Sequence, residues 1–233
     1  MATVSVVIPL FNDAEFVGEA LQSVLDQTRP PDQIIVVDDG STDASYAVAS
    51  RFLPAITLLS QPNQGISGAR NTGIVRATGD LIAFLDADDM WPQNSLQARL
   101  ERLEADDTLD AVYGQVEQFI TPGLDPAISA RLICPQGRTA ARFAGAMLMR
   151  RQVFERVGLF DPGLKVGETI DWALRLDDSG AAVAVVDSLV MRRRIHGANT
   201  MVAERPASTD YFKALRASVA RKAALQQASR VLP

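Results

Sequence analysis

Residues Gly79 to Asp89 read G-D-L-I-A-F-L-D-A-D-D, and this stretch decides how the chain is expected to fold. The apolar run from Leu81 to Leu85 is short and is bounded by polar residues, which predicts a buried strand. Three carboxylates, Asp86, Asp88 and Asp89, follow it directly. Buried carboxylates need a cation nearby, and α/β sheets bind ligands where parallel strands end. We therefore expect a hard divalent ion such as Mg²⁺, carrying phosphates, at this point; the alternative is a solvated turn that caps a helix.

The first ninety residues alternate between short apolar runs and segments with helical spacing. We predict strands at 4–8, 33–37, 56–59 and 81–85, with the first stopped by Pro9. Asn12 or Asp13 is expected to cap the first helix, and a later helix is expected from Gly68 to Ala77. Repeated βα units of this length imply an α/β fold with a mostly parallel, Rossmann-like sheet and helices on both faces.

The second half of the chain is less regular and predicts a smaller mixed region. Leu96, Leu100 and Leu103 mark one face of a helix, and strands are expected near 112–120, 146–149 and 181–186. Residues 151–157 predict a short helix and residues 121–140 a loop or flap. Because no clear linker divides the chain, we predict one domain over residues 1–210, made of a half at 1–90 and a half at 91–210.

Residues 211–233 form a basic C-terminal segment. From Tyr211 to the end there are five Lys or Arg residues and no acid. Phe212, Leu215 and Val219 could share one face of a helix. This pattern predicts a terminal helix that either packs on its own domain or lies on a membrane surface.

Composition narrows the class of protein. The 233 residues are 47% hydrophobic and carry a formal net charge of −5, which argues against general binding to nucleic acid. The single cysteine, Cys134, excludes an internal disulfide framework and is expected in the core. No apolar run reaches membrane-spanning length. We therefore expect a cytoplasmic protein, with peripheral contact at the inner face of a membrane as an open alternative.

Acidic or polar pairs follow three of the predicted strands. They are Asn12-Asp13, Asp38-Asp39 and the group at Asp86, Asp88 and Asp89. Parallel strands of one sense end at the same edge of a sheet, so these groups should converge in one cleft. The turn after the first strand is not a G-x-G-x-x-G run and no P-loop is present, which argues against dinucleotide and P-loop nucleotide sites.

Four segments together resemble the family 2 glycosyltransferases, which are inverting enzymes of the GT-A fold that use nucleotide-sugar donors. They are Val4 to Asn12 (VSVVIPLFN), Gln33 to Asp43 (QIIVVDDGSTD), Asn63 to Gly73 (NQGISGARNTG) and Gly79 to Asp89 (GDLIAFLDADD), the last with a D-x-D motif. The resemblance covers roughly the first ninety residues and extends more weakly to about residue 200. It implies a hexosyl transfer from a UDP-linked donor to an acceptor hydroxyl with the help of Mn²⁺ or Mg²⁺.

The resemblance also assigns expected roles to individual residues. Pro9, Phe11 and Asn12 are expected on the nucleoside side, and Asp39 is expected to accept a hydrogen bond from the base, commonly uracil. Arg70 is expected near the nucleotide and Asp86 as an orienting partner. Asp88 is expected to ligate the metal on the diphosphate, with Asp89 beside it. His196 is expected either to contact the metal or phosphate or to serve a structural purpose.

An inverting transfer needs a general base for the acceptor hydroxyl. The family pattern places an Asp where this chain has Thr169, which cannot act as a base near neutral pH. Glu168 and Asp171 are the candidate substitutes. Trp172 is expected either to stack on an acceptor sugar or to lie in the core.

Three functions remain open at this stage. The preferred one is transfer to a glycan, lipid-linked or small-molecule acceptor. A non-catalytic nucleotide-sugar binder is the alternative that Thr169 makes credible. Nucleotidyl transfer on a related fold is the third, although it usually shows a Gly-rich, Arg-containing loop that this chain lacks after its first strand.

Overall fold

The computed structural model describes residues 1–197, 199, 213 and 215–222. The elements of the first half are β1 (Val4–Leu10), α1 (Val17–Leu25), β2 (Gln33–Asp38), α2 (Ser45–Ser50), β3 (Thr57–Ser60), α3 (Gly65–Arg76) and β4 (Leu81–Phe84). They are followed by α4 (Ser95–Glu104), β5 (Ala111–Ile120), α5 (Pro126–Ser129), β6 (Arg138–Ala140), a 3₁₀ turn (Ala144–Ala146), β7 (Met147–Arg150), α6 (Val153–Val157), α7 (Glu168–Asp178) and β8 (Val183–Ile195). Residues 215–222 are helical and are called the C-terminal helix.

One sheet runs through both halves of the described chain. Its order is β3-β2-β1-β4-β7-β5-β6, and β8 pairs with β5. The β3-β2-β1-β4 part is parallel, as is the β5–β8 pair, while β7 and β6 run antiparallel to their neighbours. The predicted α/β fold with a mostly parallel sheet and a mixed second half is therefore confirmed.

Helices cover both faces of the sheet, as predicted. Along β1, successive side chains point to opposite faces. Val6 packs in the same core cluster as Leu21 of α1. Val7 packs in a second cluster, with Ala69 of α3. Because both faces are covered, β1 is buried along its whole length and reads as a continuous apolar run rather than an alternating one.

Helix α3 lies unusually close to β1. A Cβ atom built on Gly73 would stand 2.2 Å from Cγ1 of Val7, far inside van der Waals contact. Only glycine fits at this position without a shift of the helix or the strand. The contact between Gly73 and Val7 therefore fixes how near the sheet α3 lies.

Two predictions around the first strand are wrong. β1 continues through Pro9 to Leu10, because its pairing with β4 ends at Val7 and a missing N–H is tolerated on that unpaired side. Neither Asn12 nor Asp13 caps α1 through its side chain, since the helix begins only at Val17. The backbone carbonyl of Asp13 instead accepts from the amides of Phe16 and Val17.

The second half departs further from expectation. The 121–140 segment contains α5 and β6 rather than only a loop. In the first half, by contrast, the main shift is that α3 begins three residues earlier than predicted, at Gly65. β8 extends to Ile195, and α7 was not predicted as an element. Cys134 is half-buried within the 121–140 segment, so its expected place in the core is wrong.

The C-terminal helix contacts the end of α7. Ser218 Oγ donates to Asp178 Oδ1 at 3.1 Å, and Arg221 Nε donates to Asp178 Oδ2 at 2.8 Å. Leu215 and Val219 are 49% and 69% exposed, so the helix packs through polar contacts. Phe212 and the predicted boundary at residue 210 lie outside the described residues.

Candidate functional site

A cavity of about 840 Å³ opens at the carboxyl ends of β1, β2 and β4. Its acidic lining comes from all three strand ends and from the start of α7: Asp13, Asp39, Asp86, Asp88, Asp89 and Glu168. The predicted convergence of the three clusters is therefore confirmed. Asp38 is the exception in its cluster, because its side chain is buried at the end of β2 and is not part of the lining.

Pro9, Phe11 and Asp39 line one end of the cavity. The ring of Phe11 is 45% exposed and is therefore accessible to a ligand. Asp39 is only 2% exposed, and its Oδ1 accepts from Gln61 Nε2 at 2.7 Å and from the Gln64 amide at 2.9 Å. These bonds fix the Asp39 carboxylate against the start of α3.

Asn12 has a different environment from its neighbours. Its side-chain oxygen accepts from the Thr42 amide at 2.8 Å and from the Asp43 amide at 3.3 Å. The residue is exposed, has a φ of 54° and is absent from the described lining of the cavity. Asn12 therefore joins the loops after β1 and β2, a role that the sequence did not indicate.

Arg70 connects the end of β4 with the start of α7. It is 1% exposed, and its Nη2 donates to Asp86 Oδ1 at 2.6 Å. Its Nη1 donates to Glu168 Oε1 at 2.9 Å and to Thr169 Oγ1 at 3.1 Å. The guanidinium also lies over the ring of Phe160, with Cζ at 5.3 Å from the ring centroid. Arg70 therefore neutralises two carboxylates within the cavity wall and fixes their separation.

The residues at and after the end of β8 hold the Asp88-Asp89 pair. The Arg194 amide donates to Asp89 Oδ1 at 2.8 Å, and Arg194 Nε donates to the Asp88 carbonyl at 3.0 Å. Asp88 Oδ2 lies 3.1 Å from both His196 Nε2 and Asn199 Nδ2. His196 thus lies beside Asp88, whereas Arg194 and Asn199 were not predicted as site residues. The only signal for them was their nearness to His196 in the sequence.

Burial and electrostatic repulsion raise the pKa values of two carboxyl groups in this part of the cavity. Burial, followed by the charge of Asp88, raises the pKa of Asp13 to about 7. Burial, followed by Asp88 and Asp86, raises the pKa of Asp89 well above its usual range. A hard divalent ion fits such a set of carboxylates because it would remove the repulsion between them.

The described residues do not form a complete metal site by themselves. Among them, no three acidic, imidazole or thiol groups converge closely enough to hold an ion. Mg²⁺ typically takes only one or two carboxylates and completes its shell with substrate phosphates and water. The side chains present therefore fit an ion that binds together with a diphosphate.

The structure separates the two candidate bases. Glu168 lines the cavity and has a 12% exposed side chain, and it accepts from Arg70 and from Thr169 Oγ1, the latter at 3.0 Å. Asp171 is 7% exposed, is absent from the described lining, and accepts from Arg175 Nε at 2.8 Å. Arg175 in turn donates to the carbonyls of Val157 and Leu159. Asp171 therefore anchors α7 to the loop that precedes it.

Trp172 belongs to the core rather than to the cavity. Its side chain is fully buried, and its Nε1 donates to the Gly158 carbonyl at 2.9 Å. It packs against Phe154 and Phe160 with ring centroids 5.0 Å and 5.7 Å away. The expectation that Trp172 stacks on an acceptor sugar is therefore wrong, and its other expected place, in the core, is confirmed.

Comparison with known proteins gives a family for this arrangement. Residues 5–158 match the family model described as Glycosyl transferase family 2. The chain belongs to this family. An uncharacterized glycosyltransferase of Nostoc sp. is 32% identical over 232 residues, which cover 89% of this chain and 69% of that relative. Glycosyltransferase AglE of Haloferax volcanii is 30% identical over 207 residues, with 80% of this chain and 65% of AglE covered.

Solved structures confirm the GT-A fold of this Glycosyl transferase family 2 member. TarS of S. aureus superposes with a TM-score of 0.72 at 16% identity, over 93% of this chain and 39% of TarS. TarS 1–349 in complex with UDP-GlcNAc gives a TM-score of 0.72 at 17% identity, over 94% of this chain and 66% of that chain. The chain spans about two thirds of the length of the curated relatives named above. Within the described residues, no helix is both long and apolar enough to cross a membrane.

Proposed function

We propose that this chain transfers a hexosyl group from a UDP-linked donor to an acceptor hydroxyl, with inversion at the anomeric carbon. The observation that carries the proposal is the single cavity in which Asp39, Asp88 and Glu168 meet. It offers a hydrogen-bond acceptor for a base, carboxylates for a cation and a candidate base in one enclosed volume. TarS, which shares the fold, has been crystallised with UDP and with UDP-GlcNAc, which supports this choice of donor.

The nucleoside end of the donor is assigned to Pro9, Phe11 and Asp39. The exposed ring of Phe11 offers an apolar surface to the uracil and the ribose. The Asp39 carboxylate is held in place by Gln61 and the Gln64 amide, so it is pre-organised to accept the imide N–H of uracil. A buried acceptor left unpaired costs about 1–3 kcal/mol, which discriminates against bases without that donor.

The diphosphate is assigned to the Asp86–Asp89 end of the cavity. A Mn²⁺ or Mg²⁺ ion held by Asp88, with Asp89 and His196 beside it, would stabilise the negative charge that develops on the departing UDP. Arg70 keeps Asp86 at a fixed distance from this group through its 2.6 Å bond. Asp89 holds the loop to β8 through the Arg194 amide, which keeps Asp88 in the cavity wall.

Glu168 is assigned as the general base that takes the proton of the acceptor hydroxyl. It lines the cavity, whereas the other candidate, Asp171, is bonded to Arg175. Thr169 occupies the place of the family's aspartate, and its hydroxyl donates to Glu168. Both of these donors bond to Oε1 of Glu168, so removal of the acceptor proton is assigned to Oε2.

The experiment that tests this function has two stages. A thermal-shift screen of nucleotide sugars with Mn²⁺ identifies the donor, because a ligand that binds the native state raises its apparent stability. A labelled form of that donor is then incubated with and without glycan, lipid-linked and small-molecule acceptors, and the anomeric configuration of the product is read by NMR. Failure of every nucleotide sugar to stabilise the protein would refute the proposal.

A non-catalytic nucleotide-sugar binder is the second candidate, and the bonds of Glu168 favour it specifically. Both Arg70 and Thr169 donate to Oε1 of this carboxylate, so one of its two oxygens is already engaged. If the protein binds UDP-sugars, and transfer occurs only after Thr169→Asp restores the family pattern, the binder is correct. Transfer by the unaltered chain that is lost in Glu168→Gln supports the enzyme.

Localisation and acceptor belong to the same proposal. We assign the activity to the cytoplasm, where nucleotide sugars are used as donors. Peripheral contact with the inner face of a membrane is the alternative suggested by the basic segment after Asp210. Transfer to a lipid-linked but not to a free acceptor would favour the membrane.

A further inference from the structure

Asn199 joins the end of the sheet to the acidic loop after β4. Its Nδ2 donates to Asp88 Oδ2 at 3.1 Å and to the Arg194 carbonyl at 3.1 Å. Its Oδ1 accepts from the His196 amide at 2.6 Å. The residue is 6% exposed, so these bonds are made away from bulk water. The carboxamide of Asn199 therefore contacts the proposed metal ligand Asp88 and also the backbone groups of Arg194 and His196.

The orientation of this carboxamide follows from its partners. The His196 amide can only donate and the Arg194 carbonyl can only accept, so the oxygen of Asn199 must face the first and the nitrogen the second. The NH₂ group then has both of its protons engaged, one by Arg194 and one by Asp88. No other standard side chain of similar size supplies two donors and an acceptor in this geometry.

Two donor groups converge on the same oxygen of Asp88. Asn199 Nδ2 and His196 Nε2 both lie 3.1 Å from Oδ2. His196 is itself placed by Asn199 through its backbone amide and by Phe16, whose ring centroid lies 4.7 Å from that of the imidazole. The rotation of the Asp88 carboxylate is thus restricted by groups that depend on Asn199.

We infer that Asn199 is a positioning residue, which fixes the Asp88 carboxylate, directly and through His196, so that it can hold a divalent cation. This inference rests on the proposed function, since it concerns the same end of the cavity. Residues that orient metal ligands by hydrogen bonding typically change metal affinity by about 10–100-fold when they are replaced. Asn199 does not itself supply a catalytic group.

A purely structural role for Asn199 is the competing explanation, because the same carboxamide ties the chain after β8 to Arg194. The two roles differ in what a substitution changes. A structural role predicts a loss of thermal stability with the cation requirement unchanged. A positioning role predicts a weaker dependence on the cation in a protein that is still folded.

The test compares Asn199→Asp, Asn199→Ala and the parent. Asn199→Asp keeps the shape but turns a carboxylate toward Asp88, and Asn199→Ala removes both the donor and the acceptor. UDP binding is measured by calorimetry over a Mn²⁺ titration and in EDTA, and Mn²⁺ binding alone is measured by electron paramagnetic resonance. We expect both variants to need about 10–100-fold more Mn²⁺ for half-maximal UDP binding. We expect their UDP affinity in EDTA to stay within about twofold of the parent's.

Asn71 offers a matched control. Its carboxamide also bridges two backbone groups, donating to the Phe160 carbonyl at 2.9 Å and accepting from the Phe160 amide at 3.0 Å. Asn71→Ala should lower thermal stability and leave the Mn²⁺ requirement unchanged. It therefore shows what the loss of a purely structural carboxamide does in the same assays.

Each outcome decides the matter. A folded Asn199 variant with the Mn²⁺ requirement of the parent overturns the inference. Failure of both Asn199 variants to fold also overturns it, in favour of a structural role. If the parent binds no UDP at all, the proposed function fails first. If the parent binds UDP only with Mn²⁺ and the variants behave as the parent does, only the role of Asn199 is rejected.

Discussion

The guanidinium of Arg70 is bonded to the carboxylate of Glu168 at 2.9 Å, across ninety-eight positions of the chain. Both groups lie in the wall of one cavity, Arg70 on α3 and Glu168 at the start of α7. The pair links the half at residues 1–90 to the half at residues 91–210. One buried cation is therefore the shared partner of a carboxylate from each half, Asp86 and Glu168.

Replacing Glu168 should affect chemistry rather than donor binding. Glu168→Gln removes the proposed base while keeping the side-chain shape, and loss of a general base typically costs about 10²–10⁴ in rate. UDP affinity should change little, because the base faces the acceptor. Asp171→Asn is the control, and it should lower thermal stability by breaking the bond to Arg175 but retain transfer. Transfer rates with one working donor–acceptor pair check this, and full activity of Glu168→Gln would reject Glu168 as the base.

Asp88→Asn should remove the cation dependence of UDP binding. The substitution keeps the hydrogen-bonding shape next to His196 but takes away a charge from the proposed ion site. Calorimetry with UDP should show a loss of the affinity gained on adding Mn²⁺. Asp107→Asn serves as the control, since the Asp107 side chain is 97% exposed and remote from the cavity lining. Binding of UDP by Asp88→Asn as tight as in the parent, in Mn²⁺, would show that the metal assignment is wrong.

Base preference should depend on Asp39. We expect the parent to bind UDP more tightly than CDP or ADP, because only uracil presents an imide N–H to this carboxylate. Asp39→Asn should weaken the preference, since the amide presents a donor as well as an acceptor. It should also loosen the start of α3, where Asp39 holds the Gln64 amide. The three nucleotides are compared by calorimetry, and equal affinities in the parent would remove this assignment.

The raised pKa of Asp13 predicts a pH-dependent stability in the absence of cations. Between the ordinary value of 3.8 and about 7, the folded protein keeps a proton that the unfolded chain has lost. Stability should therefore fall as the pH rises through this window. At pH 8 in EDTA, Asp13→Asn should melt above the parent, by roughly 2–4 °C for each kcal/mol recovered in a domain of this size. At pH 3.5 the two should melt alike; an unchanged gap at both pH values would contradict the cause given for the pKa.

Removal of residues 211–233 should leave UDP affinity nearly intact. The shortest described contacts of the C-terminal helix are with Asp178, at the end of α7 opposite Glu168 and about 15 Å from it along the helix axis, and Arg221 Nη1 also lies 4.0 Å from Asp171 Oδ1. Co-sedimentation of the full chain with anionic liposomes at low salt tests the membrane alternative. Liposome binding by the full chain that is lost in the truncated protein supports the membrane alternative. If the full chain does not bind liposomes, that alternative is rejected and the helix is one that packs on α7.

The sequence sufficed where a local pattern decides the structure. Leu81 to Phe84 form a strand because an apolar run bounded by polar residues can bury both faces, and the acids that follow had to lie at the sheet edge. The same reasoning brought Asp39 and Asp88 into one cavity. It failed at Pro9, whose tolerance in β1 depends on where the pairing with β4 ends.

Contacts between distant segments could not be predicted from one sequence. Asn199 reaches Asp88 across 111 positions, and the Arg194 amide reaches Asp89 across 105. Nothing local distinguishes these residues from others in a polar turn. Similarly, the sequence left both Glu168 and Asp171 as candidate bases, and the bond between Asp171 and Arg175 could not be predicted from it.

Gly73 illustrates how a residue without a side chain can govern chemistry at a distance. It stands one turn beyond Arg70 on α3, against Val7, where even a methyl group does not fit. An alanine there would push the helix outward and carry the guanidinium away from Asp86 and Glu168 together. A mutational screen that measures only the loss of activity would then assign Gly73 to the reaction centre, although Gly73 is not among the residues that line the cavity. The position of the Arg70 guanidinium therefore depends on the absence of a Cβ atom at residue 73.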